Sequence, residues 1–315
     1  MLVKTHELQT LFPIEYRISL LKDLKKAIVE NKQLILDAFW EDMHKSPEQA
    51  SLVELTGVLH ELDYFIGNLK SLAKPQRIPK TLVTLNADMY TQAEPLGVTL
   101  LITPFNYPFN LSFTPLVGCL AAGNPVVLKY SKSNPKLKEA VKQILAIAKI
   151  STSIVRIYEF SNEELFKDKV YNLVIFTGST ATGRQIYENC SKTLTKCVLE
   201  LGGFNPLVVD ESADLQNAAE QILLGKFTNS GQTCISPNYC CFVGGQNAFD
   251  LLIQKLRLQL GKYVNNYQHL VYIDNVQKYD QLTELMQKGN LITQVFEHQQ
   301  LNEPNLSVQL QLVQN

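Results

Sequence analysis

The chain has 315 residues, 45% hydrophobic and 19% charged, with a formal net charge of −1. That balance gives no electrostatic reason to expect nucleic acid or an anionic membrane surface as a partner. No apolar run reaches bilayer-spanning length, and the start Met1-Leu2-Val3-Lys4-Thr5-His6-Glu7 has no signal-peptide core.

The length suits two domains, or one large α/β domain with additions. Six cysteines without framework spacing read as the reduced thiols of a cytoplasmic protein. The histidines at 6, 44, 60, 268 and 298 form no pair at ligand spacing, which speaks against a metal site.

Ile18, Leu21, Leu24, Ile28, Ile35 and Phe39 recur at three- or four-residue steps or their sums, as one buried helical face requires. Ser46-Pro47-Glu48-Gln49 then reads as a helix start. Ser46 can cap, Pro47 suits the first helical position, and Gln49 completes a capping box. The stripe Leu52, Leu55, Leu59, Leu62, Ile66, Leu69 predicts a continuous buried face ending in a linker at 74–79. Residues 81–93 alternate loosely and predict extended strands.

From Gly97 the texture changes. Short apolar runs at 98–102, 125–128, 154–158, 173–176 and 197–199 are separated by helical or turn-rich stretches. Such alternation predicts an α/β fold with a doubly wound parallel sheet, which binds ligands beyond its strands' carboxyl ends. A further strand is expected at 206–209, a helix at 213–224, a strand near 239–243, a helix at 249–260 and a last strand at 306–312.

Several residues can carry chemistry. Phe176-Thr177-Gly178-Ser179-Thr180-Ala181-Thr182-Gly183 lies between a strand and a helix, where backbone N–H groups and a helix N-terminus can meet phosphate. The pattern G-x-T-x-x-G lacks the central glycine of the usual dinucleotide fingerprint, and alone it is equally what a strand-to-helix turn needs. A lone cysteine is ordinarily a small buried hydrophobe, but Cys234 in Asn229-Ser230-Gly231-Gln232-Thr233-Cys234-Ile235-Ser236-Pro237 has small and polar neighbours that leave it accessible. Glu200 ends a strand before Gly202-Gly203, so it is either solvated or aimed at the cleft. Taken singly, Asn106 in Pro104-Phe105-Asn106-Tyr107-Pro108 is a turn former and Lys129 a surface lysine.

Together these segments resemble the aldehyde dehydrogenase family. P-F-N-Y-P, G-N-P-V-V-L-K, F-T-G-S-T-x-x-G, L-E-L-G-G-x-N-P and G-Q-T-C occur in the family's order, and Cys234 follows Glu200 at the family's spacing of nucleophile and base. The early helices resemble the shorter class 3 branch, which handles fatty and aromatic aldehydes. The resemblance runs from about residue 15 to the end.

It implies that Cys234 attacks an aldehyde, that Asn106 and the Cys234 N–H stabilise the oxyanion, and that Glu200 activates the water that releases the acid. It also implies NAD or NADP as cofactor, held at Thr103, Phe105, Lys129, Lys132, Gly178, Ser179, Gly183 and Leu201. The domains implied are a nucleotide-binding domain over 1–80 and 94–200 with the N-terminal helices, an oligomerisation segment at 81–93, and an α/β catalytic domain over 201–315. A homodimer follows from the family.

Two departures matter. Many relatives carry a glutamate three residues after the ribose lysine, where it disfavours a 2′-phosphate. Here that position is Lys132, and a cation there can pair with phosphate, so NADP fits as well as NAD. Family members also continue to a Glu-x-Phe-Gly-Pro segment that grips the nicotinamide ribose, and to a terminal dimerisation strand. No such segment follows Cys234, so the resemblance implies a protein truncated at its carboxyl end, with an incomplete catalytic domain. The expectations are an NAD(P)-dependent aldehyde dehydrogenase or, as alternative, an inactive or esterase-only remnant that binds nucleotide or a partner protein. Acyl transfer to coenzyme A is disfavoured, because Glu200 is there to deliver water.

Overall fold

The computed structural model describes residues 12–159, 164–167, 170–264 and 271–272. The chain divides into two compact units, Met1–Ala38 with Pro47–Leu201, and Phe39–Ser46 with Gly202–Asn315. Among the described residues no helix is long and apolar enough to cross a membrane.

The predicted first apolar face is buried. Leu21, Leu24, Ile28, Ile35 and Phe39 have almost no exposure. It is carried by two helices, α1 (Ile14–Glu30) and α2 (Lys32–Met43), because the helix breaks at Asn31. The Asn31 side-chain amide donates back to the Ala27 carbonyl at 2.9 Å, the local competition with the helix ladder that asparagine offers.

Pro47 does open a helix, the single turn α3 (Pro47–Ala50), and the expected stripe holds from Leu55 onward, with Leu55, Leu62 and Leu69 buried and Leu59 and Ile66 half-buried, but not at Leu52. Ser51–Leu55 is a π-helical turn, closed by the Thr56 N–H on the Ser51 carbonyl, before α4 (Thr56–Leu72) resumes. The wider turn shifts the face by a residue. Leu52 is therefore 71% exposed, whereas Glu54, Leu55, Val58 and Leu62 are buried.

Residues 81–93 are not the extended strands that their alternation suggests. Only Tyr90–Thr91 (β2) pairs, antiparallel with Gln76–Arg77 (β1). Leu82–Thr84 forms a 3-10 turn instead, because Thr81 and Thr84 close a reciprocal capping box.

The first unit is built on a parallel sheet. β3 (Thr99–Ile102), β4 (Val126–Lys129), β5 (Val155–Ile157), β6 (Leu173–Gly178) and β7 (Lys196–Leu201) lie in the order β5-β4-β3-β6-β7. Helices α5 (Asn110–Ala122), α6 (Pro135–Ile147) and α7 (Thr180–Ser191) lie between these strands in sequence. All four residues of β3 are buried, as a central strand covered on both faces requires, while edge strand β7 alternates between half-buried and exposed. The winding reverses between β3 and β6, and such a switch point opens a crevice at the strands' carboxyl ends. There Ile102 lies opposite both Lys129 and Phe176, Thr177 opposite Glu200, and Gly178 opposite Leu201.

In the second unit β8 (Asn205–Asp210) and β9 (Pro237–Val243) pair in parallel, with α8 (Leu215–Phe227) between them in sequence. Asp214 caps α8, accepting the N–H of Gln216 at 2.9 Å and of Asn217 at 3.2 Å. Leu215, Ala219, Ile222, Leu223 and Phe227 of this helix bury against Val209 and against Leu252, Ile253, Leu256 and Leu260 of α9 (Gln246–Val264). The strand expected at 306–312 lies outside the described residues.

Candidate active site

Of the residues expected to act, Thr103, Phe105, Asn106, Lys129, Lys132, Gly178, Ser179, Gly183, Glu200 and Leu201 belong to the first unit and Cys234 to the second. Within the first unit they occupy the carboxyl ends of β3, β4, β6 and β7 and the turns that follow, except Gly183, which lies in the first turns of α7. Thr103 ties two of these ends together. Its N–H donates to the Lys129 carbonyl at 3.0 Å and its hydroxyl to the same oxygen at 3.3 Å. The half-buried bend Phe105-Asn106-Tyr107 follows and leads into α5.

Lys129 closes β4 half-buried, and Lys132 stands exposed in the next turn. Burial first, and then the charge of Lys132, hold the Lys129 ammonium below the ordinary lysine range.

At the end of β6, Ser179 is the N-cap of α7, its hydroxyl oxygen accepting the Thr182 N–H at 3.3 Å. Thr180, Ala181 and Thr182 are exposed, so the positive end of the helix faces solvent. Gly183 has a packing reason to be glycine. A Cβ there would lie 2.6 Å from a Leu201 methyl carbon, so its absence lets α7 lie against β7. Glu200 is exposed on β7, opposite Thr177.

The six cysteines are not equivalent. Cys119 and Cys190 are buried, and burial pushes both thiols up to about 11. Cys234, Cys240 and Cys241 are exposed, but the last two lie within strand β9. Cys234 instead follows a turn in which Asn229, Ser230 and Gly231 all adopt left-handed backbone, with φ of 53°, 56° and 73°. Two of these are not glycine, which is strain of the kind that accumulates at functional sites.

The turn is held by several bonds. The Gln232 N–H donates to the Asn229 carbonyl at 3.1 Å, and the Gln232 side chain reaches the Tyr272 carbonyl at 2.9 Å. The Asn205 amide donates to the carbonyls of Cys234 at 2.7 Å and Ser236 at 3.1 Å.

Three positions carry a role that the sequence alone does not assign. Asn205 and Gly203 stand inside the L-E-L-G-G-x-N-P motif, and their service to the Cys234 turn is a tertiary relation that the motif does not spell out. Glu54 has the weaker signal, one acidic residue beside a leucine stripe whose spacing points to Leu52.

Comparison with known proteins agrees with these motifs. The family model described as the aldehyde dehydrogenase family matches residues 5–263. The dimeric NADP-preferring aldehyde dehydrogenase of Mus musculus is 36% identical over 251 residues, covering 79% of this chain and 54% of that protein. The 4,4'-diaponeurosporen-aldehyde dehydrogenase of Staphylococcus aureus is 32% identical over 282 residues, covering 88% and 61%. Among solved structures, the substrate-bound state of Staphylococcus aureus AldH superposes with a TM-score of 0.89 at 30% identity, covering 98% of this chain and 68% of that one. The chain thus spans about half the length of the mouse relative and somewhat more of the staphylococcal one. With a parallel sheet wound as in this fold, the motifs at its strand ends and a family match over most of its length, this chain belongs to the aldehyde dehydrogenase family.

Proposed function

We propose that the protein oxidises an aldehyde to its carboxylate with NAD or NADP, through a thioester on Cys234. The observation that carries this reading is the setting of Cys234, an exposed thiol after three consecutive left-handed residues, with its own carbonyl tied down. The first unit fits a dinucleotide by the chemistry of its donors. The exposed start of α7 and the Lys129–Lys132 pair suit phosphate and ribose, with Ser179 and Gly178 at the pyrophosphate and Thr103, Phe105, Gly183 and Leu201 lining or supporting the groove. When bound, the oxidised nicotinamide supplies the hydride acceptor.

The protein's own part is as follows. The Cys234 thiolate forms a bond to the aldehyde carbon, and the carbonyl electron pair moves onto oxygen. The Asn106 amide and the Cys234 N–H donate to that oxygen, and each such donor is worth about 10²–10³ in rate. As the carbonyl re-forms, the aldehydic hydrogen leaves as hydride and a thioester remains on Cys234. Glu200 then takes a proton from water, the water oxygen attacks the thioester, and Cys234 leaves as thiolate. Lys132 in place of a glutamate admits NADP beside NAD, and the mouse relative is NADP-preferring by name. That relative is also called dimeric, and the exposed Leu82 and Val83 of the 81–93 segment suit contact with a second copy of this protein.

The test is turnover of fatty and aromatic aldehydes by the full-length protein, followed as reduced nicotinamide with either cofactor. Cys234→Ala should abolish it, while Cys240→Ser and Cys241→Ser should leave it intact. Aldehyde oxidation that persists in Cys234→Ala ends this reading.

A further inference from the structure

The π-helical turn Ser51–Leu55 turns one acidic side chain, Glu54, fully inward. Its Oε2 accepts the backbone N–H of Phe109 at 3.2 Å and of Asn110 at 2.9 Å. The Asn110 side-chain amide answers with a bond to the Val53 carbonyl at 3.0 Å. The wide turn and the start of α5 are therefore joined three times. The two N–H groups belong to the first turn of a helix, where donors lack intrahelical partners and the dipole favours negative charge. A carboxylate wholly out of water needs partners of this kind to be kept there. Turns of this kind recur at functional sites.

What this grip fixes is the exit of the Asn106 bend. The Leu111 N–H donates to the Tyr107 carbonyl at 2.9 Å. The Ser112 hydroxyl donates to the Pro108 carbonyl at 2.6 Å, and it shares a 2.6 Å hydrogen bond with the buried Tyr130 hydroxyl. The entry of the bend is pinned by Thr103 on Lys129. Asn106 lies between these anchors, three residues before the first N–H that Glu54 holds.

We propose that Glu54 is a positioning residue for Asn106: by holding the Phe109 and Asn110 N–H groups it sets where the Asn106 amide is delivered. The inference rests on the reading of Asn106 as oxyanion donor. Such a donor acts on charge present only in the transition state, so its displacement lowers kcat and leaves KM in place.

Both bonds go to one oxygen, so Glu54→Gln keeps an acceptor there, whereas Glu54→Met keeps the length without it. Hydrolysis of an activated aryl ester by the full-length protein is measured for the parent, Glu54→Gln, Glu54→Met, Asn106→Ala and the Glu54→Met/Asn106→Ala pair. Glu54→Gln should stay near the parent, and Glu54→Met should lose on the order of 10² in kcat with KM unchanged, as a misplacement of about 1 Å does. Added to Asn106→Ala, Glu54→Met should cost little more, because the group it positions is already gone. If Glu54→Met does not fold, Glu54→Asp, which withdraws the acceptor by one methylene, takes its place in the same cycle with the same expectation. Losses that multiply in the double variant make Glu54 merely structural and overturn the inference while leaving Asn106 its role. Ester turnover that is absent in the parent, or unchanged in Asn106→Ala, overturns the oxyanion reading and this inference with it.

Discussion

The side-chain amide of Asn205 donates to the backbone carbonyl of Cys234 at 2.7 Å, from the first residue of β8. Asn205 is itself fixed, since its N–H donates to the Asn238 side chain at 2.9 Å. The approach is close enough that a Cβ on Gly203 would stand 2.8 Å from the Asn205 oxygen and 3.0 Å from the Cys234 carbonyl oxygen. Strand β8 thus grips the Cys234 turn from its C-terminal side, while Gln232 holds it from the N-terminal side.

Asn205→Asp should therefore impair chemistry without unfolding the protein. It replaces a donor by an acceptor facing two carbonyl oxygens, Cys234 and Ser236, and leaves both without their partner. A turn released by about 1 Å predicts a loss on the order of 10² in the acylation rate. Burst kinetics with an activated ester would read that loss, and dinucleotide binding should stay at the parental level. An unchanged burst would mean that Gln232 and the left-handed residues hold the turn unaided.

Much of this is legible in the sequence. The parallel strands sit where short apolar runs announce them, because a strand covered on both faces must be apolar throughout. The candidate residues at the strand ends are legible too, since each lies within a few residues of such a run. Leu52 and Glu54 exchange places because helical spacing assumes a constant turn, and a π-helical turn has no signature in periodicity. Residues 81–93 mislead because their loose alternation suits a strand, while the Thr81 and Thr84 hydroxyls find backbone partners of their own. Asn205 reads as part of a motif; its bond spans 29 positions and depends on how β8 and the Cys234 turn fold together.

Gly183 sets two effects against each other. Alanine in a helix is favoured over glycine by about 1 kcal/mol, but a Cβ at this position falls 2.6 Å from a Leu201 methyl carbon. Overpacking of that kind costs about 1–3 kcal/mol. Gly183→Ala should therefore be neutral to destabilising in the parent, with the half-buried Leu201 giving way in part. In a Leu201→Ala background the obstacle is gone, and the same substitution should stabilise. Denaturant unfolding of the four proteins decides the matter, and a Gly183→Ala effect of the same sign and size in both backgrounds would rule out the Leu201 contact as the reason for glycine.

Lys129 links the cofactor reading to pH. Its folded-state pKa is lowered, by burial first and Lys132 second, so between that value and the ordinary lysine value the unfolded state binds more protons than the folded one. Stability then rises with pH through this window, and at neutral pH the charged ammonium is a net cost to folding. Lys129→Met should consequently raise the denaturation midpoint at pH 7, weaken dinucleotide binding, and lose its stability advantage as pH climbs into the alkaline range. Lys132→Glu removes the repelling charge and adds an attracting one, so the Lys129 pKa should rise and the window should narrow from below. The same substitution withdraws the cation available to a 2′-phosphate and puts an anion in its place. Calorimetric titration with NAD and NADP should show the preference moving towards NAD in Lys132→Glu, with the NADP affinity of the parent falling more steeply with salt than its NAD affinity. A preference that does not move would make Lys132 a solvated surface lysine, leaving cofactor choice to other residues.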